Sequence, residues 1–173
     1  SKKEIFMTDI YDITVPAHHN FVADGFLVHN CIYGTRQFGF EDQGWVAWFI
    51  IASLLKKRVT IFGNGKQVRD LLYVTDLIDA FDKFIRSDIK HDVFNIGGGK
   101  QNTISLLELI TKIEELSAGK MKVRFRDWRP SDQKVYISDL TKIKKKLGWK
   151  PSVTTEKGIE NLTAWVKVNK EKF

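Results

Sequence analysis

VFNIGGGKQNTISLLELITKIEEL, residues 93–116, reads as a strand, a glycine turn and a helix in one pass. Residues 93–96 are apolar and short, as a buried strand requires, and Gly97-Gly98-Gly99 closes them. Ser105 and Glu108 then stand three apart ahead of an apolar-periodic run, the spacing of a capping box that opens a helix over 106–116.

The same alternation runs outward in both directions. Upstream, 44–57 is an apolar helix with a basic end, which the helix dipole favours. Residues 59–62 and 71–74 read as strands, and 76–86 as a helix with Asp76 as its N-cap. Downstream, 123–126, 138–147 and 155–168 complete the series, without an internal repeat. Alternating elements of this kind predict an α/β fold.

Length and charge narrow the class. One good core fits in 173 residues, and 43% hydrophobic with 28% charged content is that of an ordinary globular protein. The net charge of +7 is uneven: residues 1–31 set two lysines against Glu4, Asp9, Asp12 and Asp24, for −2, which leaves +9 on the rest. Such an excess suits an anionic partner, a phosphorylated small molecule as well as nucleic acid. A single cysteine excludes an internal disulfide and a cysteine-rich zinc site, and no metal site is expected. The apolar run over 45–55 is too short to span a bilayer and no signal peptide opens the chain, so the cytoplasm is the expected compartment. A start at Ser1 inside a charged stretch points to a fragment of something longer.

Two glycine turns tempt and fail. GGGK at 97–100 lacks the spacing and the Lys-Ser/Thr pair of a phosphate loop. GNG at 63–65 follows a strand, but no third glycine opens a helix. Lys144-Lys145-Lys146 fits a solvated helix face better than a nucleic-acid contact. Arg69-Asp70 and Arg129-Pro130-Ser131-Asp132, the latter beside Trp128, place arginine in partly apolar surroundings suited to bidentate phosphate binding. Two structural ion pairs explain them equally well.

The first thirty residues differ in kind. Residues 10–15 read as a strand stopped by Pro16, and 20–23 and 26–29 flank Asp24-Gly25, a strong hairpin signal. An edge hairpin with incidental histidines is the plain reading. Yet Asp12, His19, His29, Asn30 and Cys31 collect an acid, two imidazoles, a cyclising amide and a thiol on strands that the hairpin joins. The Asn30 side-chain nitrogen can attack its own main-chain carbonyl carbon. The bond to Cys31 then breaks, and the departing amine takes a proton that His29 is placed to donate. A succinimide remains on Asn30.

YDITVPAHHNFVADGFLVHNC, residues 11–31, resembles the C-terminal splicing region of inteins. The resemblance implies that Asn30 cyclises, that His29 assists it, and that Cys31 is the first extein residue, attacking an upstream thioester. His19 is implied in the proton movements and Asp12 in tuning the upstream step. It implies also a β-type intein fragment over 1–30 whose N-terminal half, with its own first nucleophile, lies elsewhere.

A second resemblance covers 31–151. CIYGTRQFG (31–39), GNGKQVRDLLYVTD (63–76), FNIGGG (94–99), RPSD (129–132) and LGWKP (147–151) occur in one order. They resemble the C-terminal, substrate-binding half of Rossmann-type extended short-chain dehydrogenase/reductases, the nucleotide-sugar epimerases and dehydratases. RQFGFEDQGW (36–45) is most similar to the CDP-paratose (CDP-tyvelose) 2-epimerase branch. The resemblance implies that Arg69 and Arg129 grip the substrate diphosphate with Asp132 nearby. It places Tyr33, Gly34 and Arg36 where cofactor and sugar halves meet, with Gln37, Phe38 and Gln43 as sugar or nucleotide contacts. NAD is implied as cofactor, a CDP-sugar as substrate, and a homodimer of the spliced enzyme, with neither nucleic acid nor membrane as partner.

The NAD-binding parts of that family are not in this sequence. No Gly-x-x-Gly-x-x-Gly unit precedes Cys31, and none of Tyr11, Tyr33, Tyr73 and Tyr136 has a lysine four positions on. The reading is therefore an epimerase interrupted by an intein: 1–30 the intein end, 31–173 the substrate domain, with NAD held mainly by an upstream half. The rivals are a 4-epimerase or dehydratase in place of the 2-epimerase, and a non-catalytic nucleotide-sugar-binding module behind an inert hairpin.

Overall fold

The computed structural model describes residues 20–23, 26–29, 31–41, 43–130 and 132–173, the first two stretches as backbone. The strand expected over 10–15 lies outside them. Strands β1 (Asn20–Ala23) and β2 (Phe26–His29) pair antiparallel, with Asn20 opposite His29 and Ala23 opposite Phe26. This is the hairpin that Asp24-Gly25 predicts. The chain continues through Cys31 into β3 (Ile32–Tyr33).

Helix α1 (Trp45–Leu54) is apolar around its whole circumference, and Val46, Ala47, Phe49, Ile50, Ile51 and Ala52 are all buried. A helix without a polar face belongs in the centre of a core. Its end corrects the expected basic last turn. The helix stops at Leu54, and Lys56 turns left-handed at φ 56 so that the Lys56 amide donates to Ser53 and the Lys57 amide to Ala52. That pair of bonds is a Schellman stop with lysine where glycine is usual.

Strands β4 (Arg58–Phe62), β5 (Val68–Asp70) and β6 (Leu72–Tyr73) follow, then α2 (Val74–Ile85). The strand expected over 71–74 forms as the shorter β6, with Val74 already helical, and β5 is an additional strand upstream of it. Asp76 is not the N-cap. It is buried in the first turn of α2, where its carboxylate accepts from Ser152 Oγ at 2.6 Å and from the Val153 amide at 3.0 Å. Long-range ties to the 152–153 loop use the acceptor that a cap would have used.

Next come β7 (Phe94–Ile96), a short 3₁₀ turn, β8 (Thr103–Ser105) and α3 (Leu106–Ser117). The capping box forms: the Glu108 amide donates to Ser105 Oγ at 3.3 Å and the Ser105 amide to the Glu108 carboxylate at 2.7 Å. β9 (Lys122–Arg126), β10 (Val135–Tyr136), α4 (Thr141–Leu147) and α5 (Thr155–Val168) complete the chain.

Pairing is mostly parallel: β2 with β7, β3 with β6, β4 with β9 and β5 with β10, while β8 joins β5 antiparallel. One core gathers α1, α3 and α5 over β4, with Ile50, Ile61, Leu109, Ile113, Ile159 and Leu162 among its buried side chains. A second packs Leu72, Ala80, Phe94, Ile96, Ile143 and Trp149. Each buried leucine, isoleucine or phenylalanine among them contributes about 1.5–3 kcal/mol on burial. The Trp149 indole N–H donates to the Asp76 carbonyl at 3.1 Å, which ties α2 to the second core. No helix among the described residues is long and apolar enough to cross a membrane.

Candidate functional site

The junction residue Cys31 is built into the sheet. Its carbonyl accepts from the Leu72 amide at 3.1 Å, its side chain is 7% exposed, and it bonds to the Trp45 side chain. Asp70 lies close by, 1% exposed, with Oδ2 accepting from the Gly99 amide at 2.9 Å and the Ser138 amide at 3.2 Å. Its other oxygen has no bonding partner among the described residues. A cavity of about 10 Å³ lies between Cys31, Asp70, Gly97, Tyr136 and Ser138, room for one water beside that oxygen. Burial first, and then the Asp70 carboxylate, push the Cys31 thiol from 9.0 up to about 12. In this state Cys31 is a protonated core residue and a poor nucleophile. Asp12, His19 and Asn30 lie outside the described residues, and His29 is described as backbone only, at the end of β2.

The glycine turns are tightly packed. A side chain at Gly63 would meet the Trp128 ring at 2.6 Å, and one at Gly98 would meet the Leu71 carbonyl at 2.2 Å. The Gly99 amide is already committed to Asp70. Among the described residues, these glycine turns form no cradle for a dinucleotide.

The arginine motifs do meet an acid. Adjacent strands β5 and β10 set Arg69 opposite Tyr136. Arg69 Nη2 donates to Asp132 Oδ1 at 2.8 Å and Nη1 to the Val68 carbonyl at 2.9 Å, with the Arg69 side chain 12% exposed. Both arms of the guanidinium are thereby oriented. Arg129 lies over the Phe62 ring, 3.9 Å from its centre. A turn holds the two ends of the RPSD motif together, with the Asp132 amide donating to the Arg129 carbonyl at 3.2 Å. On the same strand pair, a cleft of about 280 Å³ is lined by Asn64, Lys66, Gln67, Trp128, Lys134 and Val135. Its wall carries two lysines and no acid. Gln67, 3% exposed, donates to the Phe62 carbonyl at 2.6 Å and leaves its Oε1 without a partner among the described residues.

The remaining expected contacts divide. Tyr33 is 2% exposed, and its hydroxyl donates to the Thr155 carbonyl at 3.1 Å against Gly158. Gly34 is packed on Val74, where a side chain would come within 2.3 Å of Cγ1. Arg36 is exposed at φ 67. Gln37 donates to the Ile32 carbonyl at 3.3 Å, and Gln43 pairs with Phe40 through two backbone bonds of 3.0 Å. Phe38, 54% exposed, rests on Trp165 and Phe173 with ring centres 5.8 and 5.1 Å away. Asp70, Gln67, Lys66, Lys134 and Tyr136 carry no motif spacing that marks them; the β5–β10 pairing alone gathers them.

Residues 43–162 match the family described as GDP-mannose 4,6 dehydratase. A CDP-paratose 2-epimerase from Salmonella typhi is 39% identical over 144 residues, which is 79% of this chain and 43% of that protein. The crystal structure of UDP-glucose 4-epimerase from Thermotoga maritima with UDP-glucose aligns at TM-score 0.72 and 32% identity, over 80% of this chain and 44% of that one. A UDP-glucuronic acid 4-epimerase from Bacillus cereus, in complex with UDP-glucuronic acid and NAD, aligns at TM-score 0.70 and 29% identity, over 80% and 43%. The chain thus spans less than half the length of these relatives.

Proposed function

Since the chain belongs to the GDP-mannose 4,6-dehydratase family of nucleotide-sugar epimerases and dehydratases, we propose that residues 31–173 are the nucleotide-sugar-binding part of an NAD-dependent 2-epimerase acting on a CDP-sugar. The observation that carries this reading is the Arg69–Asp132 pair, with Arg69 on the strand that follows the cleft-lining residues Asn64, Lys66 and Gln67. A guanidinium whose two arms are already fixed loses little freedom on meeting a diphosphate, and bidentate contacts favour it over lysine. Arg129, held on Phe62, is the second candidate grip, and the rims of Lys66 and Lys134 add attraction for the anion. NAD belongs on the upstream half, since no turn described here cradles it, and the enzyme is assigned to the cytoplasm as a homodimer. The 2-epimerase assignment is supported by the 36–45 segment and by 39% identity to a CDP-paratose 2-epimerase.

In the same proposal residues 1–30 are the end of an intein, with the boundary at Asn30–Cys31. Asn30 cyclises with His29 assisting, Cys31 accepts the upstream acyl group, and His19 and Asp12 serve the earlier proton transfers. The observed β1–β2 pairing supports a formed hairpin ahead of the junction.

Turnover of CDP-, UDP- and dTDP-sugars by the full-length spliced enzyme tests the first part. CDP-sugar preference is expected, with Arg69→Lys lowering kcat/KM by roughly 10- to 100-fold through the loss of about 1.5–3 kcal/mol of charged hydrogen bonding. Preference for a UDP- or dTDP-sugar assigns the chain to a 4-epimerase or a dehydratase instead. Full activity of Arg69→Lys removes the diphosphate role.

A further inference from the structure

The covalent path into Cys31 is fixed at one end. The Leu72 amide holds the Cys31 carbonyl, and Ile32 and Tyr33 pair in parallel with Leu72 and Tyr73. Immediately upstream, β2 runs parallel to β7 with Phe26 opposite Phe94, Leu27 opposite Asn95 and Val28 opposite Ile96. Only Asn30 separates β2 from Cys31 in the chain. A segment joined to Cys31 in its place is the same number of residues from the β7 edge.

The edge that β2 covers needs covering. Phe94 and Ile96 are 0% and 3% exposed in the second core, which anchors β7, and its backbone groups face whatever strand lies beside it. Among the described residues β2 is the only strand paired with β7. A bare edge there leaves amides and carbonyls of a rigid strand without partners.

We infer that β2 holds, before splicing, the sheet position that the end of the upstream enzyme half takes after it. This rests on the splicing reading above. The occupant is specified by register: the fifth, fourth and third residues upstream of Cys31 in the spliced product pair with Phe94, Asn95 and Ile96. Splicing therefore exchanges one edge strand for another of the same direction and register. Until the exchange, the hairpin shields the β7 edge and keeps the enzyme's sheet from completing, so the unspliced precursor is inactive. The hairpin is a placeholder as well as a part of the splicing machinery.

Hydrogen exchange read by mass spectrometry at residues 94–96 tests this, with the α1 core residues 46–51 as an internal reference. The full chain is expected to protect 94–96. Leu27→Pro, which removes an amide and fixes φ within β2, is expected to speed exchange there at least about 10-fold without changing 46–51. A direct fusion of the upstream half to Cys31, lacking residues 1–30, is expected to restore the protection. A Leu27→Pro chain with 46–51 intact and 94–96 still protected overturns the inference, as does a direct fusion that leaves 94–96 unprotected. Should Leu27→Pro disturb 46–51 as well, the chain from Cys31 to Phe173 takes its place in the same comparison. Activity separates the two readings. The direct fusion is expected to exceed an Asn30→Ala precursor at least about 100-fold, and equal activity overturns the placeholder role. If neither is active, the epimerase reading fails, while the exchange data still decide the strand.

Discussion

Cys31 shows how position outweighs residue type. A thiol after Asn30 reads as a nucleophile in the sequence, but in the folded domain it is buried against Asp70 with its pKa pushed from 9.0 to about 12. At pH 8 that difference cuts the thiolate population by about 10³-fold. Iodoacetamide should accordingly label Cys31 in the native chain at least about 100-fold more slowly than in denaturant; equal rates would place the thiol at the surface. The linkage has a definite sign. A thiol whose folded pKa is raised stabilises the fold fully below its ordinary value of 9.0 and loses that contribution as pH rises toward 12. Stability should fall more steeply between pH 8 and 10 in the native chain than in Cys31→Ala, as denaturant titrations at each pH would show. For splicing, the acyl acceptor must act before the 31–173 core closes over it or during an opening of β3. Nothing in the local sequence betrays this, because the burial comes from Leu72, Asp70 and Ser138, distant in the chain. The same holds for Tyr33, whose aromatic ring suits a cofactor boundary as well as a core until Thr155 and Gly158 close on it.

At the scale of elements, legibility followed the range of the interactions. The β1–β2 hairpin, the capping box of α3 and the span of α5 rest on neighbouring residues, and they formed as the residue pattern predicts. Strands β5, β8 and β10 are two or three residues long and exist through pairing with one another, so no local periodicity announces them. Asp76 has the right spacing for a cap but is drawn to Ser152 and Val153, which fix α2 to the loop before α5. Asp76→Ala removes the carboxylate that accepts from the Val153 amide and the Ser152 hydroxyl, both part-buried bonds, and should cost about 1–3 kcal/mol in a denaturant titration; a change below about 0.5 kcal/mol would show the loop to be independent of α2. The end of α1 makes the opposite case. Lys56 adopts φ 56 at an exposed Schellman stop, a position glycine fills without steric cost. Lys56→Gly should raise stability by about 0.5–1 kcal/mol by the same assay, and a loss would mean that the lysine side chain contributes more than its backbone strain costs.

Across the whole molecule the charge is uneven, with −2 on residues 1–31 and +9 on the rest. The basic part carries the family match, the oriented arginine and the cleft; the acidic part carries the splicing resemblance. Five spaced motifs made the family of 31–173 legible, because each recurs in fixed order regardless of where it folds. The composition of the cleft was not legible, since Lys66, Gln67, Trp128 and Lys134 come together only through the β5–β10 pairing. The joint between the parts is tested most directly by following the intact mass of the chain, mixed with the upstream part of its precursor, beside Asn30→Ala. Cyclisation at Asn30 should release a 1–30 fragment one water lighter than its hydrolytic form, with residues 31–173 joined to the upstream enzyme half, and the variant should release no 1–30 fragment. A chain that remains intact in that mixture, or that breaks equally in Asn30→Ala, would contradict an intein boundary at this bond.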